Sequence, residues 1–448
     1  MTRNSEWLQR SLDSVWHPCT QMKHHPALPL VPIARAEGVW LEDFDGKRIL
    51  DGISSWWVNL FGHGNPRINA AITDQLNRLE HVMLAGFTHA PAIELAERLS
   101  RKTGGALGHA FFASDGASAT EIALKMSLHA WQNQGCTDKR EFVCLQGSYH
   151  GETVGALSVT DIPLFRDAYA PLVRSDHVHL APSPDARLAE PGESAVSVAN
   201  RAADALEQLF IARDGKIAAI IIEPLVQCAT GMAMHDPQYL KRVRALCNTY
   251  GVHLICDEIA VGFGRTGSFF AHEQAGIRPD LLCLSKGITG GYLPLSVVLS
   301  SEAIYQAFWH DDTRRGFLHS HSYTGNPLAC RAALATLDIF ESDDVLNANR
   351  KLSATITQRL RCIAVHPRVR HFRNRGMIWA ADVDTDMPDF NRRFFANALQ
   401  RGLLMRPIGN TLYLMPPYVL TESQAEWMAE QALGALNETL ANRSVNSA

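Results

Sequence analysis

Short apolar runs alternate with longer amphipathic segments through the middle of the chain. Several runs are apolar on both faces, which is typical of strands in a parallel sheet that is covered on both sides. The segments 119–134 and 236–251 between them have helical periodicity. The predicted strands are HAFFAS (109–114), REFVCLQ (140–146), IAAIIIEPLV (217–226), VHLICDEI (252–259) and PDLLCLS (279–285). This alternation predicts an α/β fold with a doubly wound core.

The two ends of the chain have a different pattern. The first sixty residues are rich in Pro, Trp and turn signals and contain a hairpin-like segment at 38–51, GVWLEDFDGKRILD. Helical patterns dominate after about residue 330 and lead to the strand-like TLYLM at 411–415. We therefore expect residues 60–325 to form a large domain with a mostly parallel sheet. Residues 1–59 and 326–448 are expected to form a smaller α+β domain.

Composition is that of an ordinary soluble enzyme. The 42 Lys and Arg do not outnumber the 46 Asp and Glu in the 448 residues, which argues against a nucleic-acid surface. The first residues do not resemble a secretory signal, and no run of about 20 apolar residues predicts a membrane span. Nine scattered cysteines without a C-x-x-C pair indicate reduced thiols and a cytoplasmic protein.

Polar groups follow four of the predicted strands. Ligands of parallel α/β sheets collect at the carboxyl ends of the strands, so these groups are expected to converge. They are Ser114-Asp115-Gly116-Ala117, Tyr149-His150-Gly151, Asp257-Glu258 and Ser285-Lys286-Gly287. A ligand with a phosphate, an aromatic ring, a ring nitrogen and an aldehyde would satisfy all four.

The segment 114–117 joins a strand to a helix. Its backbone N–H groups and the helix dipole favour a phosphate, and Gly116 allows close approach of the backbone. An ordinary N-cap formed by Ser114 or Asp115 explains the same residues equally well. This segment alone is therefore a weak signal.

Asp257 and Lys286 carry more information because each follows an apolar run. A buried carboxylate needs a cationic partner, which a protonated pyridine nitrogen or a core Arg would supply. A partly desolvated lysine is neutral and nucleophilic enough to form a Schiff base, although a solvated lysine at a strand end is the common alternative. Glu258 points to the opposite side of its strand and is the poorer candidate.

Two other motifs do not predict a site. The residues 262–267 match G-x-G-x-x-G after a strand, but Phe269-Phe270 and polar residues follow instead of a helix of small residues, and no acidic residue ends a second strand. The histidine pairs at 24–25 and at 319 and 321 lack further ligands at metal-binding spacing. We predict neither dinucleotide nor metal binding.

Taken together, these motifs resemble the class III (subgroup II) aminotransferases. The most specific segment is LICDEIAVGFGRTGSFFAHEQAGIRPDLLCLSKGITGGYLPLS at 254–296. Four others fit in order and spacing: SDGASATEIALK (114–125), YHGET (149–153), IIEPLVQ (221–227) and HSHSYTGNPLAC (319–330). The resemblance implies a pyridoxal-phosphate (PLP) enzyme of fold type I and a homodimer with active sites at the subunit interface.

The resemblance also assigns roles to individual residues. It implies that Lys286 forms the Schiff base, that Asp257 binds the pyridine nitrogen and that Tyr149 covers the ring. Gly116 and Ala117 would offer N–H groups to the phosphate. His321 and Ser322 would reach the phosphate from the other subunit.

Further segments resemble the branch of the family that aminates 8-amino-7-oxononanoate in biotin synthesis, usually with S-adenosylmethionine as donor. They are WHPCTQM (16–22), DGISSWW (51–57), HVMLAGFTHAPAIELAERL (81–99) and RPIGNTLYLMPPY (406–418). The branch implies that Trp56 and Tyr149 line the substrate pocket and that Arg406 binds the substrate carboxylate. Tyr413 stands where relatives acting on ornithine or GABA usually have another residue, such as Arg.

Three residues depart from the pattern of that branch. Cys19 replaces a Tyr in substrate recognition, Glu152 replaces an Asp, and Ser320 occupies a substrate-contact position. Lysine is therefore an alternative amino donor. A broad ω-aminotransferase acting on diamines or ω-amino acids is an alternative function. A catalytically silent relative of the fold is a third hypothesis, which the presence of Lys286 and Asp257 disfavours.

Overall fold

A computed structural model describes residues 2–26, 28 and 30–441. The chain divides into two compact units, Met1–Pro66 with Arg350–Ala448, and Arg67–Asn349. The domain boundaries that we expect from the sequence, after residues 59 and 325, stay a prediction. The helix Pro66–Leu76 begins at one change of unit, and the helix Val345–Arg359 contains the other.

The larger unit contains a seven-stranded sheet. Six strands run parallel, and Ser296–Ser300 runs antiparallel between two of them. Across the sheet the order is His109–Ala113, Ser296–Ser300, Leu281–Leu284, His253–Asp257, Ile217–Ile222, Glu141–Leu145 and Val178–Ala181. A small two-stranded sheet joins Val226–Gln227 to Ala233–Met234. The α/β class with a mostly parallel sheet is therefore confirmed.

Burial explains why the central strands read as continuous apolar runs. Every residue of Ile217–Ile222, His253–Asp257 and Leu281–Leu284 is buried. The helix Gly116–Asn133 packs small and branched residues, such as Ala119 and Ile122, into the same core as Ile221 and Ile255. Both faces of a covered sheet exclude water, so alternation of polar and apolar residues is not required there.

The helices of the larger unit follow the predicted pattern at 119–134 and 236–251. Its α-helices are Pro66–Leu76, Ala90–Lys102, Gly116–Asn133, Val154–Ser158, Pro163–Arg166, Ala195–Ala212, Pro237–Tyr250, Glu302–Ala307 and Pro327–Ser342. Its 3-10 helices are Asp167–Leu172, Ala186–Leu188, Ala271–Ala275, Lys286–Thr289 and Thr313–Arg315.

The smaller unit combines two sheets with helices. One sheet has the order Ile33–Glu37, Trp40–Asp43, Arg48–Asp51 and Leu403–Leu404, and its first three strands are antiparallel, as the hairpin pattern predicts. The other has the order Val369–Arg375, Ile378–Val383 and Thr411–Leu414. The helical segments are Arg3–Ser14, Met22–His24, Ser54–Trp57, Arg361–Ala364, Phe390–Gln400 and Glu422–Ala441.

None of the helices within residues 2–26, 28 and 30–441 has the length and apolar character that a membrane crossing requires. Over the same described residues, no group of three or more His, Cys, Asp or Glu side chains could hold a metal ion.

Candidate active site

Asp257 and Lys286 belong to neighbouring strand ends. Asp257 pairs with Cys283 in the parallel register, and the N–H of Glu258 donates to the Cys283 carbonyl at 3.0 Å. Lys286 follows three residues after Cys283 and begins a short 3-10 helix. Its φ of +46° is a strained value for a non-glycine residue, which is common where a functional side chain must be aimed. The predicted convergence of these two residues is therefore observed.

The Asp257 carboxylate is buried and held by specific hydrogen bonds. The residue is 4% exposed. Its Oδ2 lies 2.7 Å from Nδ1 of His150, and its Oδ1 accepts from the N–H of Ile259 at 3.1 Å. An ionised carboxylate can only accept, so Nδ1 of His150 carries the proton. His150 is thus one partner of this carboxylate, and binding of a pyridine nitrogen by Asp257 stays a prediction.

His150 is itself fixed by its surroundings. Its N–H donates to the Thr160 hydroxyl at 3.0 Å, and its carbonyl accepts from the Thr120 hydroxyl at 2.8 Å. Its side chain is fully buried. Among the described residues its Nε2 atom has no hydrogen-bond partner. His150 lies in the Tyr149-His150-Gly151 segment that follows a predicted strand, but no role was predicted for it.

The surroundings of Lys286 favour a neutral amine. Burial lowers the pKa of Lys286, while Asp257, Cys228 and Glu223 act in the opposite direction. Burial also raises the pKa of Glu223 to about 7. A lysine with a lowered pKa spends more time as the nucleophilic amine, which Schiff-base chemistry needs.

Glu223 connects two segments near this group. Its Oε2 accepts from the N–H of Tyr149 at 3.0 Å, and its Oε1 accepts from the N–H of Cys228 at 3.0 Å. Sequence reasoning missed this residue too, although the segment IIEPLVQ that contains it was conspicuous. The strand Ile217–Ile222 ends four residues earlier than predicted, and Glu223-Pro224 follows it directly.

Tyr149 is held at both ends. Besides its N–H contact with Glu223, its hydroxyl donates to Oε1 of Glu152 at 2.9 Å. Its ring meets Phe165 edge-on, with 5.5 Å between centroids. The side chain of Glu152, one methylene longer than the usual Asp, therefore contacts Tyr149 directly.

The N-terminus of the helix that begins at Gly116 is the predicted phosphate site. Asp115 caps it, with Oδ1 accepting from the N–H of Ser118 at 2.9 Å. The capping interpretation is thus correct for Asp115, and it is compatible with a phosphate at the N–H groups of Gly116 and Ala117. A Cβ on Gly116 would lie 3.0 Å from Cγ2 of Ile259. The backbone here is close-packed in a way that suits Gly.

The loop before Pro327 carries Ser320, His321 and Ser322. Nε2 of His321 lies 3.1 Å from Nε2 of His319, and Nδ1 of His319 lies 2.8 Å from Nζ of Lys125. Ser320 and Ser322 are exposed. Phosphate contact by His321 and Ser322, and substrate contact by Ser320, stay predictions.

Three predicted substrate residues meet within the smaller unit. The Arg406 guanidinium carbon lies 5.3 Å from the ring centroid of Trp56, and Nη2 of Arg406 donates to the carbonyl of Cys19 at 2.8 Å. Trp56 is 43% exposed. The structure therefore brings Arg406 together with Cys19 and Trp56, both of which lie hundreds of positions before it in the sequence. Their contact with substrate stays a prediction.

The G-x-G-x-x-G segment lies in a series of turns. The segment leads into the 3-10 helix Ala271–Ala275, not into an α-helix. Glu258 accepts from the N–H groups of Ala271 and His272, at 2.6 and 2.8 Å, and fixes the far end of the loop. These contacts hold the Glu258 carboxylate at the loop, away from Asp257, as its position on the opposite side of the strand predicts.

Comparison with known proteins agrees with this geometry. The family described as Aminotransferase class-III matches residues 21–436. The chain belongs to the class-III aminotransferases. The adenosylmethionine-8-amino-7-oxononanoate aminotransferase of Helicobacter pylori is 44% identical over 93% of this chain and 94% of its own length. The protein with that name from Anoxybacillus flavithermus is 39% identical over 99% of both chains.

Solved structures show the same fold. The structure of the adenosylmethionine-8-amino-7-oxononanoate aminotransferase of Methanocaldococcus jannaschii superposes with a TM-score of 0.90 at 32% identity, over 97% of this chain and 99% of that chain. An (S)-enantioselective omega-transaminase of Thermomicrobium roseum superposes with a TM-score of 0.92 at 30% identity, over 98% of this chain and 100% of that chain. The class-III aminotransferase described here has the type I fold of PLP-dependent transferases.

The residues of this class-III aminotransferase fit PLP. A lysine of lowered pKa suits the aldehyde, a buried carboxylate suits a protonated ring nitrogen, and a helix N-terminus with a close-packed Gly suits a phosphate. All of these groups lie in the larger unit.

Proposed function

We propose that this enzyme transfers an amino group to 8-amino-7-oxononanoate and forms 7,8-diaminononanoate, with PLP as cofactor and S-adenosylmethionine as amino donor. The observation that carries the proposal is the match over nearly the whole chain to relatives named for that substrate pair. The reaction belongs to biotin synthesis, and we place it in the cytoplasm, as the pattern of cysteines suggests.

Residues of the larger unit hold the cofactor and move the proton. When bound, PLP withdraws electrons from the carbon that loses a proton. Asp257, held by His150, would bind the ring nitrogen through its carboxylate. The amine of Lys286 takes the proton from the donor carbon and later returns one, which its lowered pKa permits. Gly116 and Ala117 bind the phosphate, and Tyr149 covers the ring.

Residues of the smaller unit recognise the oxo acid. Arg406 offers a guanidinium group to the substrate carboxylate, and Trp56 lines the path of its apolar chain. Cys19 removes the hydroxyl that a Tyr would supply at this position. Glu152 and Ser320 are the other positions at which recognition of the two substrates would differ from that of related enzymes.

The active enzyme is proposed to be a homodimer in which His321 and Ser322 serve the partner's phosphate site. Exposed apolar side chains support a contact surface on the larger unit. Met83, Phe87, Leu318 and Tyr323 are each more than half exposed. Burial of such groups drives subunit association.

A second candidate function is a broad ω-aminotransferase that acts on diamines or ω-amino acids. The similarity to the omega-transaminase of Thermomicrobium roseum favours it as the alternative. The two functions differ in the acceptor that reacts with the amino form of the enzyme.

Half-reactions of the purified holoenzyme test the proposal. We expect S-adenosylmethionine to bleach the Schiff-base absorbance and 8-amino-7-oxononanoate to restore it, while Lys286→Ala is folded but has no Schiff-base band. Bleaching by lysine alone would change the donor. Restoration by pyruvate or 2-oxoglutarate, but not by 8-amino-7-oxononanoate, would instead establish the ω-aminotransferase function.

A further inference from the structure

The segment that carries Trp56 is a left-handed turn built without glycine. Ser54, Ser55, Trp56 and Trp57 have φ values of +52°, +46°, +71° and +74°. The N–H of Trp57 donates to the Ile53 carbonyl at 2.8 Å and that of Val58 to the Ser54 carbonyl at 3.0 Å, so the turn is hydrogen-bonded like a helix of opposite hand. L-residues disfavour this conformation through contact of Cβ with the backbone. Surrounding contacts must therefore maintain it.

Asp51 supplies the central contact. It is fully buried. Its Oδ1 accepts from the N–H of Ser55 at 2.9 Å, and its Oδ2 accepts from the Ser55 hydroxyl at 2.7 Å. Nε2 of His63 lies 3.0 Å from the same Oδ2. Both oxygens of one carboxylate are thus engaged with the turn or with the histidine that supports it.

His63 connects this carboxylate to the surrounding backbone. Its N–H and carbonyl form a reciprocal pair of bonds with Gly38, at 2.7 and 2.9 Å. The Nδ1 of His63 lies 3.3 Å from the side-chain nitrogen of Asn59. The backbone N–H of Asn59 in turn donates to the Ser54 carbonyl at 3.1 Å. At the other side, the Ser54 hydroxyl donates to the Met415 carbonyl at 2.7 Å. The left-handed turn is fixed at several points.

The hand of the turn decides what its two tryptophans do. Trp57 is buried and meets Tyr413 edge-on, at 6.1 Å between centroids. Trp56 remains exposed beside the Arg406 guanidinium. A right-handed turn would give these side chains other directions, because the sign of φ sets where Cβ points.

We propose that Asp51 and His63 are positioning residues that hold the left-handed turn and thereby fix Trp56 beside Arg406 for the oxo acid. This inference rests on the proposed function in one respect, namely that Trp56 and Arg406 contact that substrate. Neither Asp51 nor His63 has to touch the substrate or the cofactor for this role.

Asp51→Asn in the holoenzyme tests the inference. Asparagine has the size of aspartate and keeps one side-chain oxygen as an acceptor. An NH2 donor, however, replaces the oxygen that accepts from the Ser55 hydroxyl and from His63. We expect faster amide hydrogen exchange in the peptide covering residues 54–59 and a roughly tenfold higher KM for the oxo acid with kcat nearly unchanged, the signature of lost uniform binding. Asp51→Asn combined with Ser55→Gly should recover KM, since glycine adopts positive φ without steric cost.

Asp43→Asn is the matched control. Asp43 is also buried in the smaller unit and also binds backbone N–H groups, those of Asp45 and Lys47 at 3.0 and 2.8 Å, but in a different turn. It should leave KM and exchange at 54–59 unchanged.

Two results would overturn the inference. Unchanged exchange at 54–59 in Asp51→Asn would show that Asp51 does not hold the turn, and faster exchange with an unchanged KM would show that the turn serves stability alone. Failure of the proposed function would be seen in the wild type, which would then accept a different oxo acid. The KM values of the variants and the wild type are in that case measured with that acid, so the two failures are distinguishable.

Discussion

His150 is the side chain on which the state of Asp257 depends most directly. Its Nδ1 is the donor to a carboxylate oxygen that is buried with it. Removing one partner of a hydrogen bond to a charged group costs about 1.5–3 kcal/mol, because the other group stays buried and unsatisfied. His150→Leu should therefore lower kcat/KM by roughly 10- to 100-fold and weaken retention of PLP during gel filtration.

His150→Asn is the control for this prediction, because its amide nitrogen sits close to the position of Nδ1 and can still donate to Asp257. We expect it to retain most of the activity that His150→Leu loses. Equal losses in the two variants would mean that the imidazole ring, and not the hydrogen bond, is what the site requires.

Some residues of the candidate site could be predicted from the sequence and others could not, for a physical reason. Asp257 and Lys286 could be proposed from the sequence because each follows an apolar run that predicts burial, and burial of a charged group demands a partner. The partner itself could not be read in the same way. His150 and Asp257 are 107 positions apart, and they follow the strands Glu141–Leu145 and His253–Asp257, which flank Ile217–Ile222 in the sheet. Glu223 escaped notice for the same reason.

At the scale of elements, the start of the helix Gly116–Asn133 leads to a prediction. Alanine is favoured over glycine in helices, so Gly116→Ala should not weaken the helix. However, its Cβ would lie 3.0 and 3.2 Å from Cγ2 and Cδ1 of Ile259, a tight contact from which the Ile259 side chain or the backbone at the proposed phosphate site has to move by a few tenths of an ångström. We expect the apoenzyme to bind PLP roughly tenfold more weakly in a spectrophotometric titration, a loss of about 1.4 kcal/mol.

Gly108→Ala is a suitable control because an added Cβ there would meet nothing within 4 Å. It should bind PLP with the affinity of the wild type. An unchanged affinity in Gly116→Ala as well would contradict a phosphate site at this helix.

Elements with a regular pattern were predictable, and irregular ones were not. The five predicted strands and the two predicted helices are present. They were predictable because burial of a strand on both faces leaves a continuous apolar run, and burial of one helix stripe leaves a helical periodicity. The strand Ser296–Ser300 was not among the predictions, and neither was its antiparallel direction, which depends on pairing with two strands distant in sequence. The left-handed turn Ser54–Trp57 contains no glycine to announce it. Its four residues would each cost about 1–2 kcal/mol without their contacts.

At the scale of the whole molecule, the residues proposed for catalysis and those proposed for substrate recognition belong to different compact units. Lys286, Asp257 and Tyr149 lie in Arg67–Asn349, whereas Trp56 and Arg406 lie in the unit formed by both ends of the chain. Sequence order alone separates Trp56 from Arg406 by 350 positions, yet their side chains meet. The family resemblance could propose this pair, but periodicity and composition could not, since neither carries information on contacts between remote segments.

The proposed sharing of sites between two subunits can be decided by mixing two defective variants. Lys286→Ala lacks the amine of its own site, and His321→Ala lacks a phosphate contact that we assign to the partner's site. In a mixed dimer, the His321→Ala subunit keeps its lysine and receives His321 from its partner, so one intact site forms. Random reassortment of equal amounts makes half of the dimers mixed, and we expect about a quarter of the wild-type activity.

If His321 served its own subunit, no mixed dimer would hold an intact site, and the mixture would be no more active than the mean of the separate variants. The double variant Lys286→Ala/His321→Ala mixed with wild type gives the complementary result. With shared sites, each mixed dimer has one site without the amine and one without the phosphate contact, so activity should fall from about half to about a quarter of the wild-type value, whereas sites that use their own His321 would leave it at about half.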